Sequence, residues 1–338
     1  MGLRTLLNSL SVRYTRRYLV TRAANTLLVF FVVLLINFFL PRMMPGNFAD
    51  IYVQQLIMRN HGIDPEILAN RIYSLFGLNL PLYDQLLRYL HEIVSISPDF
   101  GPSFGYYPTP SWTIVLFAAK WSLLLLGTSQ AISWTIGIFL GIYLALHKNK
   151  FIDRLMLPAM YFVDTIPYFW LAMIFILVFA VELRVLPAGQ AYTMYPTPTS
   201  ILGHMILPVL TVVIGSLFHH AIVVRSSAID IISSDFVQVM KAQGLRRRTF
   251  LGRVLRNSLL PSLTQLFLSM GLLIGGIFTI EYAFSYPGLG MVIADAALNR
   301  DYPVLQAALY LTTLVVLLSN LLADLTYPLA DPRVSYVG

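Results

Sequence analysis

The chain has 338 residues, of which 57% are hydrophobic and 12% are charged, and its formal net charge is +7. Soluble domains carry about 25% charged residues, so this composition excludes an ordinary soluble protein, and the apolar content excludes a disordered one. The absence of cysteine excludes disulfides, thiolate nucleophiles and cysteine-ligated metal centres. The composition predicts a protein embedded in a membrane, with no role in nucleic-acid binding.

Six apolar runs are long enough to cross a membrane as helices, which takes about 20 residues each. They are Ala24–Leu40, Ser122–Leu146, Leu155–Leu183, Ile201–Val224, Leu259–Ala283 and Val304–Leu325. The first run is longer than a signal peptide core and ends at Pro41 without a small-residue cleavage site, so we interpret it as a transmembrane helix. The predicted fold class is therefore an all-α membrane protein with six transmembrane helices.

The basic residues indicate the orientation of these helices. Of the 23 Lys and Arg residues, 16 lie in the N-terminal arm, two alternate connections and the tail, and 7 lie on the other side. Cytoplasmic segments carry the excess of basic residues. Both termini are therefore predicted to be cytoplasmic, which agrees with an even number of spans in a cell membrane.

The chain divides into a cytoplasmic arm (1–23), a first transmembrane helix (24–40), an external segment (41–121), a five-helix core (122–325) and a cytoplasmic tail (326–338). Within the external segment, Pro81–Val94 has the spacing of an amphipathic helix.

Two residues of the third span attract attention. Asp164 lies inside an apolar run, where a carboxylate costs about 2.5–3.5 kcal/mol on insertion scales. Pro167 follows and breaks helices, and such breaks persist only beside protein or water. Asp164 and Pro167 either line a path through the membrane, or Asp164 makes a hydrogen bond within the helix packing or lies nearer the membrane interface than its place in the run indicates.

The basic cytoplasmic connection 225–258 contains one predicted short helix. Ser234 is its expected N-cap, Asp235 places negative charge in the first turn, and Gly244 ends it. Phe236, Val239 and Met240 are spaced to share one face. A helix of about nine residues is unstable alone. It either lies on membrane lipid or packs against a soluble partner.

This segment, continued through Arg256-Asn257-Ser258-Leu259-Leu260-Pro261, resembles the cytoplasmic loop of permease subunits of binding-protein-dependent ABC importers. It is most similar to the B-type permeases of the dipeptide/oligopeptide group. The Glu-Ala-Ala positions of the wider family fall on Gln238, Val239 and Met240, so those letters are absent here. The glycine of the family motif falls on Gly244.

Other motifs of the group occur in the same order along nearly the whole chain. They are Arg17-Tyr18-Leu19, the run from Leu40 to Gly46, the run from Phe76 to Leu82, the run from Ile166 to Trp170, Leu186-Pro187-Ala188-Gly189, the run from Glu281 to Gly290, the run from Arg300 to Val304, Asp324-Leu325 and the run from Ala330 to Arg333. Each motif is weak alone, but their order and spacing together are specific.

The resemblance implies a type I ABC importer permease fold and transport by alternating access. It implies that the short helix couples to an ATPase through Ser234, Asp235, Phe236, Val239, Met240 and Gly244. The implied partners are a homologous second permease subunit, two cytoplasmic ATPases that bind ATP and magnesium, and an external substrate-binding protein. Members of the group carry peptides, nickel or oligosaccharides, and this sequence alone does not decide among them.

Features of an enzyme are missing from the sequence. No Gly-Lys dipeptide occurs, so there is no Walker A phosphate loop, and no His-Glu-x-x-His zinc motif occurs either. Gly288 and Gly290 lack the third glycine of a dinucleotide fingerprint. We interpret Glu281, Pro287, Gly288 and Gly290 as an external loop that acts as a gate, and we expect no cofactor on this chain.

One alternative is an ion-coupled secondary transporter that works without an ATPase. Such carriers favour internal repeats and buried charge relays. The sequence has no detectable repeat and one central carboxylate, so the ATP-driven importer is the preferred interpretation.

Overall fold

The structure is a computed structural model that describes residues 16–43, 65–75, 77–93, 98–190, 197–243, 249–255, 258 and 277–330. These residues form helices, with one isolated bridge between Pro102 and Pro110 as the β pairing in the described ranges. The helices are α1 (Arg16–Arg42), α2 (Pro65–Leu75), α3 (Leu82–Ile93), α4 (Ser111–Leu146), α5 (Phe151–Asp164), α6 (Tyr168–Phe175), α7 (Pro198–Ile232), α8 (Asp235–Ala242), α9 (Leu289–Leu298) and α10 (Tyr302–Ala330), with a π-helix at Ile176–Glu182.

Four helices are long and apolar enough to cross a membrane: α1, α4, α7 and α10. They contain the first, second, fourth and sixth predicted spans. The fifth predicted span, Leu259–Ala283, lies mostly outside the described residues, although residues 277–283 at its end are helical. The described part of the chain therefore contains four spans, and a fifth if the bent third span is counted.

The second span is longer than predicted. Helix α4 has 36 residues and begins at Ser111, directly after Pro110, rather than at Ser122. At 1.5 Å per residue it is about 54 Å long, which exceeds a hydrocarbon layer of about 30 Å. The sequence prediction began after the charged Lys120, but Lys120 is exposed and continues the helix.

The third span is broken where the sequence predicted a break. Helices α5 and α6 meet at an angle of 97° across residues 165–167. Pro167 lacks a backbone N–H and disfavours helical geometry at the residue before it. It starts α6 with extended backbone angles, φ −62° and ψ 139°. The span then ends in the π-helix, and both α5 and α6 pack against α7.

The described chain forms two compact units. One contains residues up to Thr26, Leu123–Tyr286 and the residues from Val315 onward. The other contains Leu27–Ser122 and Pro287–Leu314. In the first unit Arg22, near the start of α1, donates to Asp324 near the end of α10. The beginning of the first span and the end of the last span therefore lie together.

A seam of small residues joins α4 and α7 within the first unit. A Cβ added at Gly141 would lie 2.6 Å from the carbonyl oxygen of Ala221, and one added at Gly137 would lie 2.9 Å from His220 Cβ. The hydroxyls of Ser133 and Ser216 are 2.8 Å apart in the same seam. Small residues let transmembrane backbones approach closely and pack.

We expect Gly141→Ala to destabilise the protein because the new methyl would contact backbone that cannot move alone. Overpacking of this kind costs about 1–3 kcal/mol. Gly127→Ala on the same helix is the control, since a Cβ there meets nothing within 4 Å. Thermal unfolding in detergent measures both variants. Equal melting temperatures would contradict the close packing of this seam.

The second unit has an aromatic core. Phe100 lies 5.8 Å from Trp112 and 5.4 Å from Tyr310 between ring centroids, and Tyr89 of α3 packs against Phe38 of α1 at 5.4 Å. Aromatic rings bury large areas and add favourable edge and face contacts. The amphipathic helix predicted at Pro81–Val94 is confirmed as α3, and Tyr89 and Ile93 are its buried residues.

Asp301 connects two loops of the same unit. Its carboxylate accepts hydrogen bonds from the Ser103 hydroxyl and from the backbone N–H groups of Phe104, at 3.1 Å, and Gly105, at 3.0 Å. It also accepts from Val304 N at 3.4 Å, at the start of α10. Asp301 is only 3% exposed. The part of the predicted external segment around residue 103 is therefore fixed to the loop before α10.

Candidate functional site: the short helix and the broken span

The predicted coupling helix is present as α8, which begins at Asp235 and ends at Ala242. Helix α7 continues to Ile232, beyond the predicted end of its span at Val224, so only two residues separate α7 from α8. The Ser234 hydroxyl donates to the Ile231 carbonyl oxygen at 2.6 Å. This hydroxyl therefore bonds back to α7. Ser234 directly precedes α8, and its role as the N-cap stays a prediction.

The two sides of α8 differ from the predicted faces. Val237 is 0% exposed and Met240 is 2% exposed, while Val239 is 55% exposed. Met240 therefore packs into this chain and does not share an exposed face with Val239. Asp235 is exposed as well. The side chain of Phe236 and the residue Gly244 lie outside the described residues.

A buried ion pair holds the end of α7 that leads to α8. Arg225 donates to both carboxylate oxygens of Asp153, through Nε at 2.7 Å and through an Nη at 2.8 Å. The backbone N–H of Asn149 donates to Asp153 at 2.9 Å. The two charged side chains are 14% and 4% exposed. Such two-point pairing fixes orientation as well as distance.

The sequence does not predict this pair, because the two residues lie 72 positions apart. Arg225 is one of several charges in the basic connection 225–258, and Asp153 has no predicted role. The available signal was an aspartate in the first turn of a helix, next to a loop that contains Lys148 and Lys150.

The broken third span brings Asp164 close to α7. Asp164 is the last residue of α5, and its Oδ2 lies 3.5 Å from Nδ1 of His219. The two side chains are 27% and 40% exposed, respectively. Tyr168, one residue after Pro167, lies over Gly215, where an added Cβ would come within 2.3 Å of its ring. The sequence did not indicate that His219 faces Asp164.

The neighbouring His220 makes different contacts. Its ring stacks on Trp134 with centroids 4.5 Å apart, and its Nε2 lies 3.0 Å from Gln130 Oε1. His220 is 1% exposed. The two adjacent histidines therefore serve different faces of α7, one buried against α4 and one beside Asp164.

Of the residues predicted to form an external gate, Glu281 belongs to the first unit, and Pro287, Gly288 and Gly290 belong to the second. In the first unit, Glu281 is 0% exposed, and burial, followed by the Glu281 charge, raises the pKa of Tyr286 well above its ordinary value. In the second unit, Gly288 and Gly290 are buried, and Gly288 precedes α9. Pro287 lines an open, largely apolar cavity of about 910 Å³ in that unit.

Two of the sequence motifs meet in the first unit. The backbone N–H of Gln190 donates to the Phe284 carbonyl oxygen at 2.7 Å. A Cβ at Gly189 would lie 2.4 Å from that oxygen, so glycine is required for this approach. The loop that contains Gly189 therefore rests on the turn that follows Glu281.

Comparisons with known proteins agree with the interpretation of the sequence. The family described as "Binding-protein-dependent transport system inner membrane component" matches residues 137–336. The oligopeptide transport system permease protein OppB of Haemophilus influenzae is 30% identical over 321 residues, which cover 95% of this chain and 99% of the relative. AppB of Bacillus subtilis, also an oligopeptide transport system permease protein, is 29% identical over 94% of this chain and 99% of its own. The glutathione transport system permease protein GsiC of Escherichia coli is 30% identical over 94% of this chain and 99% of its own.

Proposed function

The chain belongs to the family of inner-membrane components of binding-protein-dependent transport systems, and from this premise we propose that it is a permease subunit of an ATP-driven importer of oligopeptides. It forms half of a translocation pathway by alternating access. Family membership favours this function over an ion-coupled carrier, because the family is defined by its dependence on a binding protein.

The observation that carries the proposal is the arrangement of α8. Val237 and Met240 anchor the helix to its own chain, while Val239 stays 55% exposed beside the exposed Asp235. An exposed apolar side chain on a helix too short to be stable alone suits a groove in a partner protein. We assign that partner as one of two cytoplasmic ATPases, which bind the ATP and magnesium. This assignment places both chain termini in the cytoplasm.

The remaining partners follow from the same proposal. A homologous second permease subunit completes the pathway, and an external binding protein delivers the solute. Movement of α8 is transmitted through α7 and its Arg225–Asp153 pair to the membrane helices. Asp164 and Pro167 line the pathway, and Glu281, Pro287, Gly288 and Gly290 belong to the external gate.

Peptides are the favoured substrate class over oligosaccharides and nickel. The names of the relatives refer to oligopeptides, peptides and glutathione. All of these substrates carry a free amino group and carboxylates, and all fit a pathway that contains a partly exposed carboxylate.

A single introduced thiol tests the docking of α8, because the chain contains no cysteine. We expect Val239→Cys, in the assembled transporter, to form a cross-link with a cysteine in the groove of the ATPase. Val185→Cys is the matched control, since Val185 is 64% exposed and lies on the predicted external side. A cross-link at Val185 instead of Val239 would contradict the proposed orientation and docking.

A further inference from the structure

Asp164 and His219 form a pair of ionisable side chains at the break in the third span. The carboxylate and the imidazole are 3.5 Å apart and are 27% and 40% exposed. A charged carboxylate in contact with hydrocarbon is strongly unfavourable, and ionisable residues in spans face protein or a water-filled cavity. The exposed side of Asp164 therefore faces an aqueous pathway or a partner, and not lipid tails.

The local charge at this point is negative. The C-terminus of α5 contributes about half a negative charge at Asp164, and the N-terminus of α6 begins at Tyr168 with about half a positive charge. These helix charges nearly cancel across the break, so the full charge of the carboxylate remains. Among the described residues, His219 is the one that lies within ion-pair distance of Asp164.

His219 leaves the carboxylate available to a cation. A separation of 3.5 Å is longer than the 2.7–2.9 Å of a good charge-assisted hydrogen bond. The Asp164 side chain is 27% exposed, so its carboxylate can accept hydrogen bonds from further donors. A primary ammonium has three donors in a compact group and suits such a site.

We propose that Asp164, with His219 beside it, binds the terminal ammonium group of a peptide substrate inside the pathway. This inference rests on the proposed function and deepens it by naming the substrate group that is recognised. The imidazole holds the carboxylate in place in the empty site, and the ammonium replaces it as the principal partner. The resulting preference is for solutes with a free amino terminus.

Equilibrium binding to the solubilised transporter, without its binding protein, tests this proposal. The probes are trialanine and N-acetyl-trialanine, which differ in the terminal charge. We expect the wild type to bind trialanine at least about tenfold more tightly, the effect of one charge-assisted hydrogen bond. In Asp164→Asn this ratio should fall to about one, while Glu182→Gln, which neutralises an exposed carboxylate at the end of the same span, should keep it.

A second variant keeps the proposal testable if Asp164→Asn fails to fold. His219→Lys places a permanent ammonium beside Asp164 and should abolish the preference for trialanine while Asp164 is retained. Selectivity that survives in both Asp164→Asn and His219→Lys would overturn the inference, as would equal binding of the two peptides by the wild type. ATP-driven uptake of trialanine by the wild type is measured separately, and its absence would overturn the proposed function and not the binding site.

Discussion

Replacement of Val239 by aspartate is expected to lower ATP-dependent uptake at least about 100-fold. Val239 is exposed on α8, whereas Val237 and Met240 of the same helix are buried in this chain. Burying an unpaired carboxylate in an apolar groove costs several kcal/mol, and each 1.4 kcal/mol is a factor of ten. Because the substituted side chain points away from its own chain, membrane insertion and the fold should be unaffected.

The measurement is uptake together with ATP hydrolysis and the amount of ATPase that copurifies. Val185→Asp is the matched control, because it introduces the same charge at an exposed valine outside α8. Normal uptake by Val239→Asp, or an equal loss in Val185→Asp, would show that α8 does not dock through Val239.

Removal of Asp153 is expected to have the largest effect on stability. Asp153→Leu leaves Arg225 buried without its carboxylate, and breaking a buried ion pair in this way costs about 3–5 kcal/mol. Adding Arg225→Met removes the unpaired charge and should restore most of the lost stability. The free energy of unfolding in mild detergent, measured for both single variants and the double variant, gives the coupling energy. Additive effects of the two substitutions would indicate that the pair contributes nothing beyond its separate residues.

Asp153→Leu and the double variant also test whether the ion pair is needed for transport as well as for stability. Asp153→Leu should also weaken the response of ATP hydrolysis to substrate, because the end of α7 that leads to α8 loses its fixed orientation. Recovery of stability without recovery of this response in the double variant would indicate that the two-point geometry is needed for coupling.

The membrane helices could be predicted from the sequence because long apolar runs have few alternatives. The break at Pro167 was predictable for a similar reason, since proline acts through local backbone geometry. The extent of α4 could not be predicted, because the charged Lys120 suggested a helix boundary. Its side chain is exposed, and the helix continues through it. Local patterns locate helices more reliably than they locate the ends of helices.

The contacts of the candidate site depend on tertiary packing. Helical spacing showed that α8 has two sides, but it could not show which side packs into the chain, and Met240 proved to be buried. Arg225 and Asp153, like His219 and Asp164, are brought together by helices far apart in the sequence. A single sequence carries no record of such pairs, although Asp164 by itself is an unusual charge in an apolar region.

Uptake in reconstituted vesicles is the most direct test of the central claim that this chain transports solute only when an ATPase drives it. The chain, its partner permease, the two ATPases and the binding protein are reconstituted together, and accumulation of labelled trialanine is followed. We expect accumulation with ATP and magnesium, and none with a non-hydrolysable ATP analogue or with an ion gradient alone. Accumulation driven by an ion gradient in vesicles that lack the ATPases would contradict the account.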